Sequence, residues 1–355
     1  MRIAIRVDSS LAIGFGHLSR TMNIAAALRS RGSRITFICR DLESNGLSWL
    51  ASANFDAIRL PRPKTACKPN AAKPKHLAWL GVSLEEEIVQ SKAALRELGG
   101  ADLLLVDSYA LDRRYESAMR PFARKIAVLD DLADRAHDCD LLIDGAYMRE
   151  TNDYLSLVSK QCRLLCGSAF APLSPDYGRY RALALPRRFP PRVVLLSMGG
   201  IDLANLTGEA LKALAASPFN DAAIVAVLSA RAPHIAENEK LGRKLGLRID
   251  WRFDARDMPL LILRADLGVG ALGVGSYERA CLALASVTMA AADNQRENLA
   301  RLGAAGAIFA ENTIGDALSR IDEARVRSRE KAAFNICDGT GAARICDEIQ
   351  SAALR

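Results

Sequence analysis

The sequence is poor in histidine and in aromatic residues, and it has no long apolar run. Only four histidines and 6% Phe, Trp and Tyr occur among its 355 residues. No uninterrupted apolar segment reaches the roughly 20 residues that a membrane-spanning helix needs. A strand pattern begins at residue 2, so we expect no signal peptide. These absences predict a cytoplasmic protein without a membrane span.

The cysteines do not have the spacing of a metal site. None of the eight cysteines forms a C-x-x-C pair, and none has a cysteine/histidine spacing typical of zinc. We therefore expect free thiols, as in a reducing cytoplasm.

The excess of positive charge does not predict a nucleic-acid-binding surface. Lys and Arg total 48 against 41 Asp and Glu, a formal net charge of +7, but the cations are spread along the chain. The densest basic stretch, residues 59–76, contains four prolines and no aromatic residue among its cations. This composition is typical of a solvated loop, and a lid whose cations cover a diphosphate is the alternative. A basic surface favours acidic ligands, so we expect no nucleic acid as partner.

Strand-like and helix-like segments alternate along the chain, which predicts parallel sheets with helices on both faces. Helices are predicted near 18–30, 43–53, 83–97 and 112–121. The strand candidates are residues 2–7, 34–39, 103–106, 125–129 and 141–143, then 192–197, 223–228, 248–250, 266–269, 286–290 and 307–309.

The predicted fold class is α/β, with two Rossmann-like domains facing each other across a cleft that holds the ligand. The N-terminal domain is expected to span residues 1–170 and the second domain residues 192–330. Between them, residues 171–191 contain five prolines and are expected to form an interdomain linker.

The first strand candidate leads into a glycine turn that carries a histidine. Gly14, Gly16 and His17 stand just before a helical pattern at 18–31. The glycines let the backbone bend tightly, and the unpaired N–H groups of a first helical turn favour a negative charge. A connector with an incidental histidine is the alternative, although such a position is hard to explain as core filling. We expect a phosphate-bearing substrate beside His17.

The second half of the chain has two glycine-rich strand exits of its own. A Gly199-Gly200 pair follows one strand candidate, and four glycines between residues 268 and 275 precede a helix that opens with Ser276 and Glu278. Such a loop can hold phosphates with its backbone N–H groups, and an acid at the start of the next helix can bind ribose hydroxyls. For Glu278 the alternative is an acid that complements the helix dipole.

Seven short motifs follow one another from residue 3 to about residue 300. They are Arg6-Val7-Asp8, Gly14-x-Gly16-His17-x-x-Arg20, Trp79-Leu80-Gly81-Val82, Asp107-x-Tyr109, Asp130-Asp131-Leu132-Ala133-Asp134-Arg135-x-His137-Asp138-Cys139-Asp140, Ser197-x-Gly199-Gly200-x-Asp202 and Ala292-Asp293-Asn294-Gln295. In this combination the sequence resembles the UDP-2,4-diacetamido-2,4,6-trideoxy-β-L-altropyranose hydrolases of pseudaminic acid biosynthesis.

The resemblance implies a fold and a reaction. That family is similar in fold to the two-domain B-type glycosyltransferases, in which a C-terminal helix often returns to the first domain. Residues 331–355 are therefore expected to form a helix that packs on the N-terminal domain, and the second domain is expected to bind the nucleotide. The implied reaction is hydrolysis of a UDP-linked diacetamido sugar at the anomeric carbon, with inversion.

The resemblance also implies roles for individual residues. His17 would be the general base on water, because a neutral imidazole can accept a proton at cellular pH. Tyr109 and Asn294 are the other residues expected to be catalytic. The residues expected to bind the substrate are Asp8, Gly14, Gly16, Arg20, Gly199, Gly200, Gly273, Gly275, Ser276, Glu278 and Gln295.

A metal ion or other cofactor is not expected. Asp130 and Asp131 are adjacent, and neighbours on a strand point to opposite faces, so such a pair rarely binds one ion. We predict structural roles for these carboxylates and for the acidic cluster that follows them, with Asp130 the member that faces the cleft. That cluster comprises Asp134, Asp138, Asp140 and Asp144.

The chain departs from the family pattern mainly where phosphate binding is expected. The family usually has alanine or glycine, then Gly-Ser-Thr and an aromatic residue before the glutamate, whereas this chain has Gly273-Val274-Gly275-Ser276-Tyr277-Glu278 and lacks one or two of those hydroxyls. Ile201 likewise replaces a usual threonine. Two alternatives to the hydrolase therefore stay open: a glycosyltransferase with an alcohol or amine acceptor, and a non-catalytic nucleotide-sugar binding protein. A monomer or weak dimer is expected in each case.

Overall fold

The computed structural model describes residues 1–64, 76–184 and 186–353. Most of the basic stretch at 59–76, for which a solvated loop is predicted, lies outside the described residues. The chain divides into two compact units. Unit 1 comprises Met1–Pro172 and the segment from Gly341 onward, and unit 2 comprises Leu173–Thr340.

Unit 1 is built on a seven-stranded parallel sheet in the order β3-β2-β1-β4-β5-β6-β7. Its strands are β1 (Arg2–Val7), β2 (Arg34–Arg40), β3 (Asp56–Leu60), β4 (Ala101–Asp107), β5 (Ala123–Leu129), β6 (Leu141–Asp144) and β7 (Arg163–Cys166). Its helices are α1 (Gly16–Ser30), α2 (Leu47–Ser52), α3 (Leu84–Glu97), α4 (Arg113–Met119) and α13 (Gly341–Ala353). The strand order reverses between β1 and β4, and ligands bind at such points in open α/β sheets.

Unit 2 contains a five-stranded parallel sheet in the order β10-β9-β8-β11-β12. Its strands are β8 (Val193–Ser197), β9 (Ala223–Leu228), β10 (Ile249–Phe253), β11 (Leu267–Ala271) and β12 (Ser286–Met289). Its helices are α5 (Pro175–Tyr180), α6 (Leu206–Ala215), α7 (Ile235–Lys244), α8 (Met258–Arg264), α9 (Val274–Cys281), α10 (Arg296–Ala304), α11 (Ile314–Ser319) and α12 (Glu323–Phe334). This sheet reverses its order between β8 and β11.

The predicted α/β class with two parallel sheets is confirmed, and so are most of the predicted strands. The central strands are buried on both faces, and this is why they appear in the sequence as continuous apolar runs. The strand predicted at 307–309 is wrong, because Phe309 makes only one isolated bridge, to Val287. Two edge strands, β3 and β7, were not predicted because they are short and partly exposed.

The C-terminal segment departs from the single helix predicted at 331–355. Residues 335–340 separate α12 from α13, and the left-handed φ of 78° at Gly339 is incompatible with a continuous helix. Helix α13 packs against α1. Arg31, which directly follows α1, donates to Asp347 at 2.6 Å. Among the described residues, no helix combines the length and apolar content needed to cross a membrane.

A buried cluster of four charges joins β1, β2 and α3. Arg6 donates from Nε to Glu87 at 2.7 Å and from both terminal nitrogens to Asp8 at 2.7 Å. Arg40 donates to the second oxygen of Glu87 at 2.5 Å and from its backbone N–H to Asp8 at 2.7 Å. Burial alone would raise the pKa of Glu87, but the two arginines outweigh it and lower the pKa to about 2. The cluster fixes the carboxyl end of β1, from which the His17 turn starts.

Glu87 should contribute strongly to the stability of unit 1. The variant E87Q leaves two buried arginines without their anion, so its free energy of unfolding should fall by about 3–5 kcal/mol. Urea unfolding measures this change. The matched control is E85Q on the same helix, where the side chain is exposed. A loss in E87Q no larger than in E85Q would contradict the prediction.

The difference in free energy of unfolding between wild type and E87Q should also depend on pH. The pKa of Glu87 is lower in the folded protein than in the unfolded chain, so its stabilisation is complete above about pH 5 and is lost as the pH falls toward 2. The wild type should therefore lose its advantage in free energy of unfolding over E87Q as the pH falls from 5 toward 2.

Candidate active site

The turn after β1 brings His17 into the first turn of α1. Gly14 has a left-handed φ of 77°, and its N–H donates to the carbonyl of Ser10 at 2.8 Å, which closes the turn. Helix α1 begins at Gly16 and has no side-chain cap. The predicted position of His17 at a helix N-terminus is confirmed, and this position is beside the carboxyl end of β4.

Asp107, the last residue of β4, fixes the His17 ring. The distance from His17 Nδ1 to Asp107 Oδ1 is 2.6 Å, and Arg20 donates to both oxygens of the same carboxylate at 2.6 and 2.7 Å. Burial alone would raise the pKa of Asp107, but the charge of Arg20 and the hydrogen bonds from Arg20 and His17 outweigh it and lower the pKa to about 2. The carboxylate is therefore ionised and can only accept hydrogen bonds.

This geometry selects the tautomer of His17. Arg20 Nη2 is 3.2 Å from Nδ1, but it donates to Asp107 at 2.6 Å, and the shorter contact of Nδ1 is with Asp107, which can only accept. We therefore assign the proton to Nδ1, and in the neutral ring Nε2 then has a free lone pair. Among the described residues, Nε2 of His17 has no hydrogen-bond partner. A histidine held in this way can accept a proton at Nε2.

Arg20 connects this pair to a second carboxylate. Its Nη1 donates to Asp131 at 3.0 Å, and the hydroxyl of Tyr109 donates to the other oxygen of Asp131. Burial and the charge of Asp131 raise the pKa of Tyr109 well above its usual value, so Tyr109 remains a neutral donor. Tyr109 and Arg20, both predicted as site residues, thus lie beside His17.

The prediction that Asp130 faces the site is wrong. Asp130 is 1% exposed, and its oxygens accept from Arg135 at 2.7 Å and from Tyr154 at 3.0 Å. Because the two aspartates are adjacent and point in different directions, it is Asp131 that reaches Arg20.

Aromatic rings surround the imidazole of His17. Tyr109 packs edge-on at a centroid distance of 4.5 Å and Trp79 at 6.1 Å, and His76 lies 4.5 Å from Trp79. His17, Trp79 and Asp107 line one small depression, together with Asp8, Ile13 and Ser108. Asp8 is a predicted binding residue that also lines this depression. Both of its oxygens already accept hydrogen bonds from Arg6.

The acidic residues between 130 and 144 are bonded to cations of the protein itself. The partners are Arg135 for Asp130 and Asp134, Arg120 for Asp138 and Asp140, and Arg149 for Asp144. No group of three or more metal-type ligands occurs in the part of the chain that the structure describes.

In unit 2, the two glycine-rich turns follow β8 and β11. Gly199 has a φ of 92°, and the turn continues to Asp202, whose two oxygens accept from the first backbone N–H groups of α6 at 2.8 Å. The start of α6 is therefore capped by the protein. Helix α9, which follows Gly273, has no side-chain cap at its start.

The remaining predicted residues also belong to unit 2. Ser276 is buried and donates to the carbonyl of Gly273 at 2.6 Å, while Glu278 is half-buried. Burial raises the pKa of Glu278 against the opposing effects of a hydrogen bond with Tyr177 and the charge of Arg279. Asn294 is exposed on the short turn Asp293–Gln295, and the amide oxygen of Gln295 accepts from Ala291 at 2.7 Å.

Three residues beside His17 were not among the predicted site residues. Asp107 and Asp131 occurred in the quoted motifs, but nothing in the local sequence indicates that they meet a residue of α1. Likewise, nothing in the sequence around Trp79 indicated that its ring lies beside His17. The position of Asp107 at the end of a buried strand was the one available indication.

The comparison in sequence gives a distant relative. No protein-family model matches the chain. Over 208 residues the chain is 24% identical to the UDP-2,4-diacetamido-2,4,6-trideoxy-beta-L-altropyranose hydrolase of Campylobacter jejuni. The match covers 58% of this chain and 63% of that protein, just under two thirds of the relative's length.

Solved structures match over almost the whole chain. MurG of Acinetobacter baumannii is similar with a TM-score of 0.63 and 13% identity, covering 99% of both chains. UGT89C1 of Arabidopsis thaliana, solved with UDP, is similar with a TM-score of 0.63 and 14% identity, covering 98% of this chain and 99% of that one. The chain therefore has the glycosyltransferase B-type fold, and its predicted resemblance in sequence is to a UDP-sugar hydrolase.

Proposed function

We propose that this protein hydrolyses a UDP-linked 2,4-diacetamido-trideoxy sugar, or a related amino sugar, at the anomeric carbon. The observation that carries the proposal is the His17–Asp107 pair, with Nδ1 bound at 2.6 Å and Nε2 left to accept a proton. The distant similarity to a UDP-sugar hydrolase supports the choice of substrate.

In the proposed step, Nε2 of His17 removes a proton from water while the water oxygen attacks the anomeric carbon. The bond from that carbon to the β-phosphate oxygen breaks, and UDP leaves with the electron pair. Asp107 stabilises the imidazolium that forms, because its carboxylate remains beside Nδ1. A single displacement on the face opposite UDP inverts the anomeric configuration.

The surroundings of His17 suit a sugar with apolar substituents. Trp79 and Tyr109 offer aromatic faces and edges, which pack against C–H groups and N-acetyl methyls. Arg20 and Asp131 hold Tyr109 in place through its hydroxyl. We assign recognition of the sugar to Trp79 and Tyr109.

We assign UDP binding to unit 2. The Gly199-Gly200 turn and the loop from Gly273 to Ser276 would supply backbone donors to the diphosphate, and Glu278 would accept from the ribose hydroxyls. Asn294 and Gln295 would contact the sugar or orient water. The need for a strong general acid is small, because UDP is a good leaving group.

The experiment that tests the reaction is a proton NMR time course with UDP-2,4-diacetamido-2,4,6-trideoxy-β-L-altropyranose and a chelator. Release of UDP, with free sugar appearing first as the inverted anomer, is expected. Bound but unchanged substrate that reacts once an alcohol or amine is added would identify a transferase instead. Binding without turnover under any condition would identify a binding protein.

Loss of the general base should slow turnover without weakening nucleotide binding. We expect H17A to reduce kcat on the order of 10²-fold or more, with the affinity for UDP unchanged. Kinetics and calorimetry measure the two quantities. H234A is the matched control, since His234 lies in unit 2 and is partly exposed. Near-normal turnover in H17A would remove the proposed role.

Asp107 should act through His17. In D107N the side chain is neutral and no longer stabilises the imidazolium, so kcat should fall on the order of 10²-fold or more while KM changes little. Urea unfolding must accompany this measurement, because Asp107 also pairs with Arg20. Equal losses in D107N and in stability-matched variants elsewhere in unit 1 would indicate a structural role only.

Glu278 should contribute to nucleotide affinity. If it binds ribose, E278A should weaken UDP binding in calorimetry and leave kcat less affected than H17A does. An unchanged affinity for UDP would favour the helix-dipole alternative.

A further inference from the structure

Arg279 of α9 is a buried cation with a single protein acceptor. It is 3% exposed, and its Nη2 donates to the carbonyl of Ala271 at 3.1 Å. Its Nε has no partner, and no described carboxylate forms an ion pair with it. Arg187, the other buried arginine in the described part of unit 2, donates instead to four carbonyls. Arg279 is thus left with donors that the protein does not use.

Glycines make the space in which this side chain lies. A Cβ atom on Gly270 would come within 2.6 Å of Arg279 Nη1, and one on Gly268 within 3.0 Å of its Cδ. A Cβ atom on Gly275 would be 3.4 Å from Nη1 and 3.9 Å from Oε2 of Glu278, which forms no ion pair with Arg279. The guanidinium therefore lies between the carboxyl end of β11 and the first turn of α9.

The loop around this guanidinium is open to a ligand. Nothing lies within 4 Å of a Cβ atom placed on Gly273, whose φ is 147°. The uncapped N-terminus of α9 adds the positive end of the helix dipole to the charge of Arg279. Both favour an anion at the same place.

The charge of Arg279 is costly unless something neutralises it. Burial lowers the pKa of Arg279 to about 10, against the opposing effect of Glu278, so the side chain is still a cation at neutral pH. A buried cation without an anionic partner is strongly unfavourable. In unit 1, the buried Arg6 and Arg40 have such partners in Asp8 and Glu87.

We propose that Arg279 binds the diphosphate of the nucleotide, with its free N–H donors directed at phosphate oxygens beside the first turn of α9. A guanidinium presents a planar fork that fits phosphate oxygens. It supplies donors in a loop that lacks one or two of the hydroxyls usual in the family that the sequence resembles. The identity of the ligand as UDP rests on the proposed function, whereas the oxyanion site itself does not.

The test compares three probes by calorimetry: UDP, uridine and inorganic pyrophosphate. In R279M, the affinities for UDP and pyrophosphate should fall about 10- to 100-fold, as expected for lost charge-assisted hydrogen bonds, while uridine binds as in wild type. R264M is the matched control, because Arg264 is exposed at the end of α8, where the chain enters β11 from its other end. This control should bind all three probes as wild type does.

R279K keeps the inference falsifiable if R279M does not fold. It retains the charge but not the planar fork, so the UDP-to-uridine affinity ratio should fall about fivefold or more. If R279M or R279K kept the wild-type ratio of UDP affinity to uridine affinity, the role of Arg279 would be rejected and the proposed function would be unaffected. Failure of the wild-type protein to bind both UDP and pyrophosphate would overturn it together with the proposed UDP chemistry. Loss of phosphate binding in R279M, in a protein that does not hydrolyse the sugar nucleotide, would support the inference and reject only the hydrolase.

Discussion

The buried carboxylate of Asp107 is the group on which the arrangement around His17 depends. It orients the imidazole through Nδ1 and anchors Arg20, which in turn reaches Asp131 and, through it, the hydroxyl of Tyr109. Asp107 ends β4 and His17 follows β1, and these two strands are hydrogen-bonded neighbours at the point where the strand order reverses. The topology that creates the site is thus also the topology that brings its two central residues together.

The two units differ in how their arginines near the strand ends are paired. In unit 1, the cations Arg6, Arg40 and Arg20 all pair with carboxylates of the protein, so their charges are compensated before any ligand arrives. In unit 2, the switch point between β8 and β11 holds glycines and Arg279, which has no described carboxylate partner. The first arrangement prepares a base, whereas the second leaves a positive charge for a ligand to neutralise.

The features that could be predicted from the sequence are those set by residues close together in the chain. Continuous apolar runs identified the central strands, and the glycine turn identified His17 at a helix N-terminus. The edge strands β3 and β7 lacked such runs, and Phe309 had strand-like neighbours but only one bridge. Asp107 was not predicted as a site residue because it meets a residue 90 positions earlier, a contact set by strand order rather than by local pattern.

Helix α13 has a consequence for the order in which the protein is made. It packs against α1 in unit 1, although the whole of unit 2 lies between them in the chain. A ribosome that has completed every strand of the first sheet must still translate residues 173–340 before α13 can cover α1. The surface of α1 that this helix buries therefore stays uncovered while unit 2 emerges, so unit 1, which carries His17, can be completed only after unit 2 has been translated.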